Sequence, residues 1–89
     1  MQDKRTRRPA KSPDHDALGL AVRKVRAGHG VSQEELGFRS QLHRNYIGSI
    51  ERGEINPTFR ILLNLSRGLE VRLSTLMWFY ERNLRERGR

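Results

Sequence analysis

The fold of this chain is decided by residues 32–52, SQEELGFRSQLHRNYIGSIER. Ser32 is a favourable N-cap residue, and Glu35 stands three residues later, where a capping box requires it. Together these residues predict a helix that begins at Gln33. The helix is predicted to be short, because the apolar pattern breaks around Ser40.

A second helix start follows within the same segment. Leu42 and Ile47 have the spacing of a hydrophobic staple around His43, which predicts a helix over 44–52 that ends before Gly53. Histidine is an unusual residue at an N-cap, where Ser, Thr, Asp and Asn prevail. The segment therefore predicts two short helices joined by a tight turn.

Apolar residues recur at steps of three and four in three further stretches of the chain. These stretches predict a first helix from Asp14 or Asp16 to Gly28, a fourth from Phe59 to Leu69 and a fifth from near Leu73 towards Arg87. An Asn-Pro-Thr turn at 56–58 supplies the N-cap of the fourth helix. Because no segment alternates with period two, we predict an all-α domain of five helices.

The chain of 89 residues has room for one domain around a single core. We predict a disordered basic tail over 1–13 and a folded domain over 14–89. The tail carries five basic residues against Asp3, which supplies +4 of the net charge of +8. The chain lacks cysteine, which excludes disulfides and cysteine-based zinc sites. The positive charge favours a polyanionic partner.

The two central helices have the form that recognition of the DNA major groove requires, because the second has an apolar inner edge and a polar, basic outer edge. The motifs SQEELG at 32–37, LHRNYIGSIERG at 42–53 and NPT at 56–58 resemble the phage-repressor (Cro-type, xenobiotic-response-element) helix-turn-helix family. The resemblance extends over 16–77 and includes the controller proteins of restriction-modification operons. It implies a lambda-repressor-like domain that regulates transcription, as a repressor or an autoregulatory controller, by binding a palindromic double-stranded operator as a homodimer.

The resemblance assigns candidate contacts with DNA to eight positions. The base-contacting positions of the family fall on Arg44, Asn45 and Ser49. The phosphate-binding position falls on Gln33. Family members contact the DNA backbone or the central groove at three further positions, which are Tyr46, Arg52 and Asn56. The last candidate is His43, which departs from the family's usual cap residue and could donate to a phosphate.

These assignments have structural alternatives. Arg44 suits a phosphate contact as well as guanine, and Asn45 suits a capping role as well as adenine. Gln33 is otherwise a solvated residue at a helix start, and the backbone candidates also suit packing or capping at the rim. Gly48 either lets its helix approach the groove closely or has no role.

Several positions are interpreted as structural. Arg26 and Glu51 occupy positions that pair across helices in the repressor branch of the family. Gly37 stands where the family prefers Ala, and we expect it to let helices 2 and 3 pack closely. The fifth helix has surplus apolar surface, which predicts a two-fold interface. The interface residues expected there are Leu73, Leu76, Met77, Phe79 and Tyr80.

Other classes of function are less well supported. The acidic residues are spread along solvated faces, and the histidines at 15, 29 and 43 lack the spacing of one metal site, so we expect no catalysis, cofactor or metal. The alternative to DNA binding is an antitoxin-like or adaptor protein that uses this fold mainly for protein–protein interaction. The apolar runs are too short to span a membrane, and we expect a cytoplasmic, nucleoid-associated protein.

Overall fold

The computed structural model describes residues 12–87, which form five α-helices and no strand. The helices are α1 (Pro13–Gly28), α2 (Gln33–Ser40), α3 (Arg44–Glu51), α4 (Phe59–Gly68) and α5 (Leu73–Arg87). The predicted all-α fold is confirmed, and the last four helices start at the predicted residues. None of the five is long and apolar enough to cross a membrane. The predicted basic tail lies outside the described residues, except for its last two positions.

The start of α1 differs from the prediction. The helix begins at Pro13, and the Ser12 hydroxyl caps it by accepting a hydrogen bond from the His15 backbone N–H at 3.2 Å. Proline is favoured at the first helical position, because its ring presets φ and its missing N–H would have no helical partner there. The expected start at Asp14 or Asp16 was therefore too late, and Pro13, which we predicted to be the last residue of the tail, is the first residue of α1.

The first four helices end in the same way. A residue with positive φ turns the chain, and the following N–H returns to a carbonyl in the last helical turn, as in a Schellman motif. The turning residues are Gly30, Gln41, Gly53 and Glu70. Glycine adopts this conformation without strain, whereas a residue with a side chain destabilises the fold there by roughly 1–2 kcal/mol. Gln41 thereby forms the tight turn between α2 and α3.

The core lies where α1 packs along α5 and against α3, and where α2 contacts α3 and α4. Its buried apolar residues are Ala17, Ala21, Val22, Val25, Val31, Leu36, Ile47, Ile50, Leu65, Leu69 and Leu76. A Cβ on Gly19 would overlap the Ile50 carbonyl, which allows α1 to lie close to α3. A Cβ on Gly37 would overlap the Leu42 carbonyl, which confirms the close packing expected there.

The apolar residues of α5 divide between the core and the surface. Leu76 is fully buried within the single chain, so its predicted place in a dimer interface is wrong. The half-buried residues that pack against the core are Leu73, Met77, Phe79 and Tyr80. Trp78, which was not among the predicted interface residues, is 50% exposed, and the Arg82 guanidinium lies 5.4 Å from its ring centroid.

Asn83 is a buried polar residue that fixes α5 to α1. Its Nδ2 donates to the Ala17 carbonyl at 3.0 Å, and its Oδ1 accepts from Lys24 Nζ at 3.1 Å. Both ends of the amide are therefore satisfied, as burial requires. Asn83 was not among the residues predicted to be structural, although it lies seven residues after Leu76 on the same helical face.

The strained turn after α4 leads to a prediction about stability. Glu70 is exposed and has a φ of 60°, so Glu70→Gly removes the left-handed strain without disturbing the core. We expect the free energy of unfolding to rise by about 1 kcal/mol and the melting temperature by about 4 °C. Thermal unfolding followed by circular dichroism at fixed protein concentration measures both.

Glu70→Ala is the matched control, because it removes the same carboxylate but keeps a residue with a Cβ. An equal gain in both variants would contradict the explanation by backbone strain.

Candidate nucleic-acid interface

α3 is buried along one side and exposed along the other. Ile47 and Ile50 lie in the core, and polar residues occupy the opposite side. Seven of the eight candidate contact residues lie on α2, α3 or their caps. The exposed ones are His43, Arg44, Asn45 and Arg52, and the half-buried ones are Gln33, Tyr46 and Ser49.

Asn56 lies apart from the other candidates. It is exposed in the loop before α4 and borders a groove between α1 and α5. The other residues that line this groove are Asp14, His15, Leu18, Leu62, Met77 and Tyr80. The structure therefore places Asn56 beside α1 and α5, and its contact with DNA stays a prediction.

A buried carboxylate joins the first three helices. Glu51 on α3 accepts hydrogen bonds from Arg26 Nε at 2.5 Å and Arg26 Nη2 at 3.1 Å, which confirms the predicted pair. It also accepts from Gln33 Nε2 on α2 at 2.9 Å. The Glu51 side chain is 4% exposed. Removing one partner of such a buried pair costs about 3 kcal/mol, because the remaining charge loses its compensation.

Gln33 therefore has a structural contact in addition to its predicted contact with phosphate. It is the first residue of α2, capped by Ser32, whose hydroxyl accepts from the Glu35 backbone N–H at 2.9 Å. The unpaired N–H groups and positive dipole end of a helix start favour an anion. The bond to Glu51 holds the Gln33 amide at this helix end, so it is not a merely solvated residue.

His43 acts as the N-cap of α3 despite its unusual chemistry. Its Nδ1 accepts a hydrogen bond from the Asn45 backbone N–H at 3.0 Å. An accepting Nδ1 carries no proton, so the proton of the neutral ring lies on Nε2. The cap role therefore belongs to His43 rather than to the Asn45 side chain, and Nε2–H is the atom of His43 that can donate to a phosphate.

Arg44 and Asn45 occupy the first turn of α3, and both are exposed. The Arg44 guanidinium lies 3.7 Å from a Glu34 carboxylate oxygen, and the two side chains are 60% and 78% exposed. A pair this solvated contributes little, so Arg44 exchanges it readily for another partner. Tyr46 follows and packs against the core, which supports its alternative role at the rim.

Gly48 lies beneath two candidate backbone contacts. A Cβ at this position would stand 3.1 Å from Arg52 Nη1 and 3.6 Å from Gln33 Oε1. The residue is buried in the free chain, and the missing side chain leaves room for the ends of the Gln33 and Arg52 side chains over α3. The close approach of α3 to a groove at Gly48 stays a prediction.

Arg52 follows the last residue of α3 and is paired with Glu54. Its Nε donates to Glu54 Oε2 at 3.0 Å, and its Nη2 donates to Glu54 Oε1 at 3.2 Å and to Ser49 Oγ at 3.3 Å. The hydrogen bond and the charge of Glu54 raise the pKa of Arg52. Glu54 was not among the predicted site residues, although its position directly after the helix-ending Gly53 was a local signal.

The cap of α3 leads to a second prediction. His43→Ala removes the only side-chain acceptor for the Asn45 N–H found among residues 12–87, and we expect a loss of about 1 kcal/mol in the free energy of unfolding. His43→Ser should keep the stability near that of the parent, because serine is a good N-cap. Urea unfolding measures both variants, and an equal loss in the two would show that the ring, rather than the cap, stabilises this turn.

The chain is similar to known proteins in sequence and in fold. The model of the family described as helix-turn-helix matches residues 22–76. The control protein C.SmaI of Serratia marcescens is 43% identical over 62 residues, which cover 70% of this chain and 74% of that protein.

Two solved structures of restriction-modification controller proteins are also similar. C.AhdI from Aeromonas hydrophila has a TM-score of 0.72 and 35% identity, over 73% of this chain and 98% of that chain. C.Esp1396I, solved as a tetramer in complex with its natural 35 base-pair operator, has a TM-score of 0.78 and 30% identity, over 83% of this chain and 97% of that chain. The chain therefore belongs to the helix-turn-helix family and is a relative of the restriction-modification controller proteins.

Proposed function

We propose that this protein regulates transcription by binding a palindromic double-stranded operator as a homodimer, and that it is a repressor or an autoregulatory controller acting on DNA in the cytoplasm. One observation carries the proposal: α3 exposes Arg44 and Asn45 on its first turn, while the buried Glu51 fixes its other end to α1 and α2. A helix held in this way can enter the major groove as a rigid element.

The two kinds of polar residue on this surface have different roles. Arg44 can donate two hydrogen bonds to guanine O6 and N7, and Asn45 can pair with adenine N6 and N7. Gln33 and Arg52 are suited to phosphates, which fix register but carry no sequence information directly. In this proposal the basic tail adds phosphate attraction that is the same for all sequences.

A single helix-turn-helix contacts only a few base pairs, so selectivity requires more than one copy. The C.Esp1396I tetramer binds a 35 base-pair operator. Divided among four copies, that is about 9 base pairs per copy, close to the ~10.5 base pairs of one helical turn. We propose that this chain also binds DNA as more than one copy, with two copies on half-sites about one helical turn apart.

We place the dimer interface on α5. Its half-buried apolar residues are Leu73, Met77, Phe79 and Tyr80. Trp78 adds a large side chain that is 50% exposed, and aromatic residues are enriched at interfaces. The Tyr80 hydroxyl donates to Asp14 Oδ1 at 2.9 Å, so this residue joins the α5 surface to the start of α1.

An adaptor or antitoxin-like protein is the second candidate function. Phe38 on α2 favours it, because its side chain is 82% exposed and lies outside the core. Binding to random duplex DNA at increasing salt separates the two candidates. A DNA-binding protein loses affinity steeply as salt rises, whereas an adaptor shows no such binding.

Arg44 provides a test of base recognition. Arg44→Ala should weaken binding to the operator by about 1–3 kcal/mol and leave binding to random duplex nearly unchanged. Arg85→Ala on α5 is the control, because it removes an equal charge from an exposed residue far along the chain. Fluorescence anisotropy measures both, and equal losses on operator and random DNA would make Arg44 a phosphate contact.

Two measurements test the proposed dimer: the mass of the protein in solution and the selection of the DNA sequences that it binds. We expect analytical ultracentrifugation at micromolar concentration to give twice the chain mass, and selection from a random duplex pool to give a palindromic consensus. Met77→Asp should produce monomers, because it buries a charge in the apolar interface. A parent protein that stays monomeric on its selected DNA would overturn the proposed dimer.

A further inference from the structure

We propose that Glu54 is a positioning residue for base recognition by Ser49. It holds the Arg52 guanidinium against the Ser49 hydroxyl, so that Ser49 offers its proton to an acceptor atom on a base edge. This inference rests on the proposed function, and it specifies the kind of base edge that one residue of α3 recognises.

The end of α3 brings Glu54 close to Ser49. Gly53 has a φ of 75° and donates its N–H to the Ile50 carbonyl at 2.9 Å. The next N–H, from Glu54, donates to the Ser49 carbonyl at 3.0 Å. These two bonds are those of a Schellman motif, in which the residue after the glycine folds back over the last helical turn.

The Arg52 guanidinium then bridges the two side chains. Its Nε and Nη2 meet the two carboxylate oxygens of Glu54 at 3.0 Å and 3.2 Å. A planar guanidinium held by two parallel bonds has a defined orientation, which a single contact does not give. In that orientation Nη2 also donates to Ser49 Oγ at 3.3 Å.

This contact occupies one of the two lone pairs of the Ser49 hydroxyl and directs its proton away from Arg52. A serine hydroxyl has one proton to donate and two lone pairs to accept with. A serine within a helix often donates that proton to a carbonyl of the preceding turn, as Ser66 does to Leu63 O at 2.9 Å. Ser49 instead accepts from Arg52, and its own proton has no acceptor within residues 12–87.

A half-exposed hydroxyl that donates its proton outward suits a base with an acceptor atom on its major-groove edge. In the major groove these acceptors are guanine N7 and O6, adenine N7 and thymine O4, whereas cytosine N4 and adenine N6 are donors. We therefore expect Ser49 to favour an acceptor at one operator position. Glu54, which need not touch DNA, is expected to influence the same position.

Simple electrostatics gives a different expectation. If Glu54 only repels phosphates, Glu54→Gln strengthens binding to every sequence and leaves the preference among bases intact. If Glu54 positions Arg52 and Ser49, Glu54→Gln reduces discrimination at one base pair. The two roles therefore differ both in the sign of the effect and in its dependence on sequence.

The experiment measures affinities for the operator and for variants with each base pair replaced in turn. We expect Ser49→Ala and Glu54→Gln to lose discrimination at the same position, each by about five-fold, the worth of one hydrogen bond. The double variant should lose no more than Ser49→Ala alone, because both changes remove one arrangement. Glu70→Gln, with the same change of charge on an exposed residue, should leave that position unchanged.

Arg52→Lys provides a second variant. Lysine keeps the positive charge but cannot form the two-bonded pair with Glu54 and also reach Ser49 in a fixed plane. We expect it to lose discrimination at the same base pair, by about the same factor as Glu54→Gln. A Glu54→Gln protein with tighter binding to all sequences and intact base preference would overturn the inference. If the parent shows no salt-dependent DNA binding, the proposed function itself fails.

Discussion

The buried carboxylate of Glu51 is the constraint that holds the candidate DNA-binding surface of α2 and α3 together. It accepts from Arg26 on α1 and from Gln33 on α2, and its side chain is only 4% exposed. A buried carboxylate without such partners is strongly destabilising, so the three helices must keep the arrangement that supplies the donors. The start of α2 and the end of α3 are therefore fixed relative to each other before any DNA is bound.

Short helices make this constraint necessary. α2 and α3 have eight residues each, fewer than the roughly 12–15 that an isolated helix needs for stability in water. Their N-caps, Ser32 and His43, and the turns that follow them satisfy the end groups, and burial of Ile47 and Ile50 supplies the packing. A surface held this firmly loses little conformational entropy on binding.

Three arginine–glutamate pairs of similar chemistry differ in how deeply they are buried, and therefore in their roles. Glu51 is nearly inaccessible and joins helices, whereas Glu34, 78% exposed, holds Arg44 only loosely. Glu54, whose side chain is 36% exposed, lies between these extremes and makes two bonds to Arg52. The strength of an ion pair depends on its solvation and geometry more than on the residues involved. Glu51 therefore holds Arg26 in place, Glu34 releases Arg44 readily, and Glu54 orients Arg52.

Sequence patterns were enough to predict the number of helices, the starts of α2 to α5 and the pairing of Arg26 with Glu51, because caps and apolar periodicity are local and the pair follows from the family resemblance. The Ser12–Pro13 start of α1 was equally local but was not recognised. Packing between the helices, which those patterns did not reveal, places Leu76 and Asn83 in the core, Gly48 under Gln33, and Glu54 within reach of Ser49 through Arg52. These features depend on which neighbouring helix or loop covers each residue, and helical periodicity gives the face of a residue but not what packs against it.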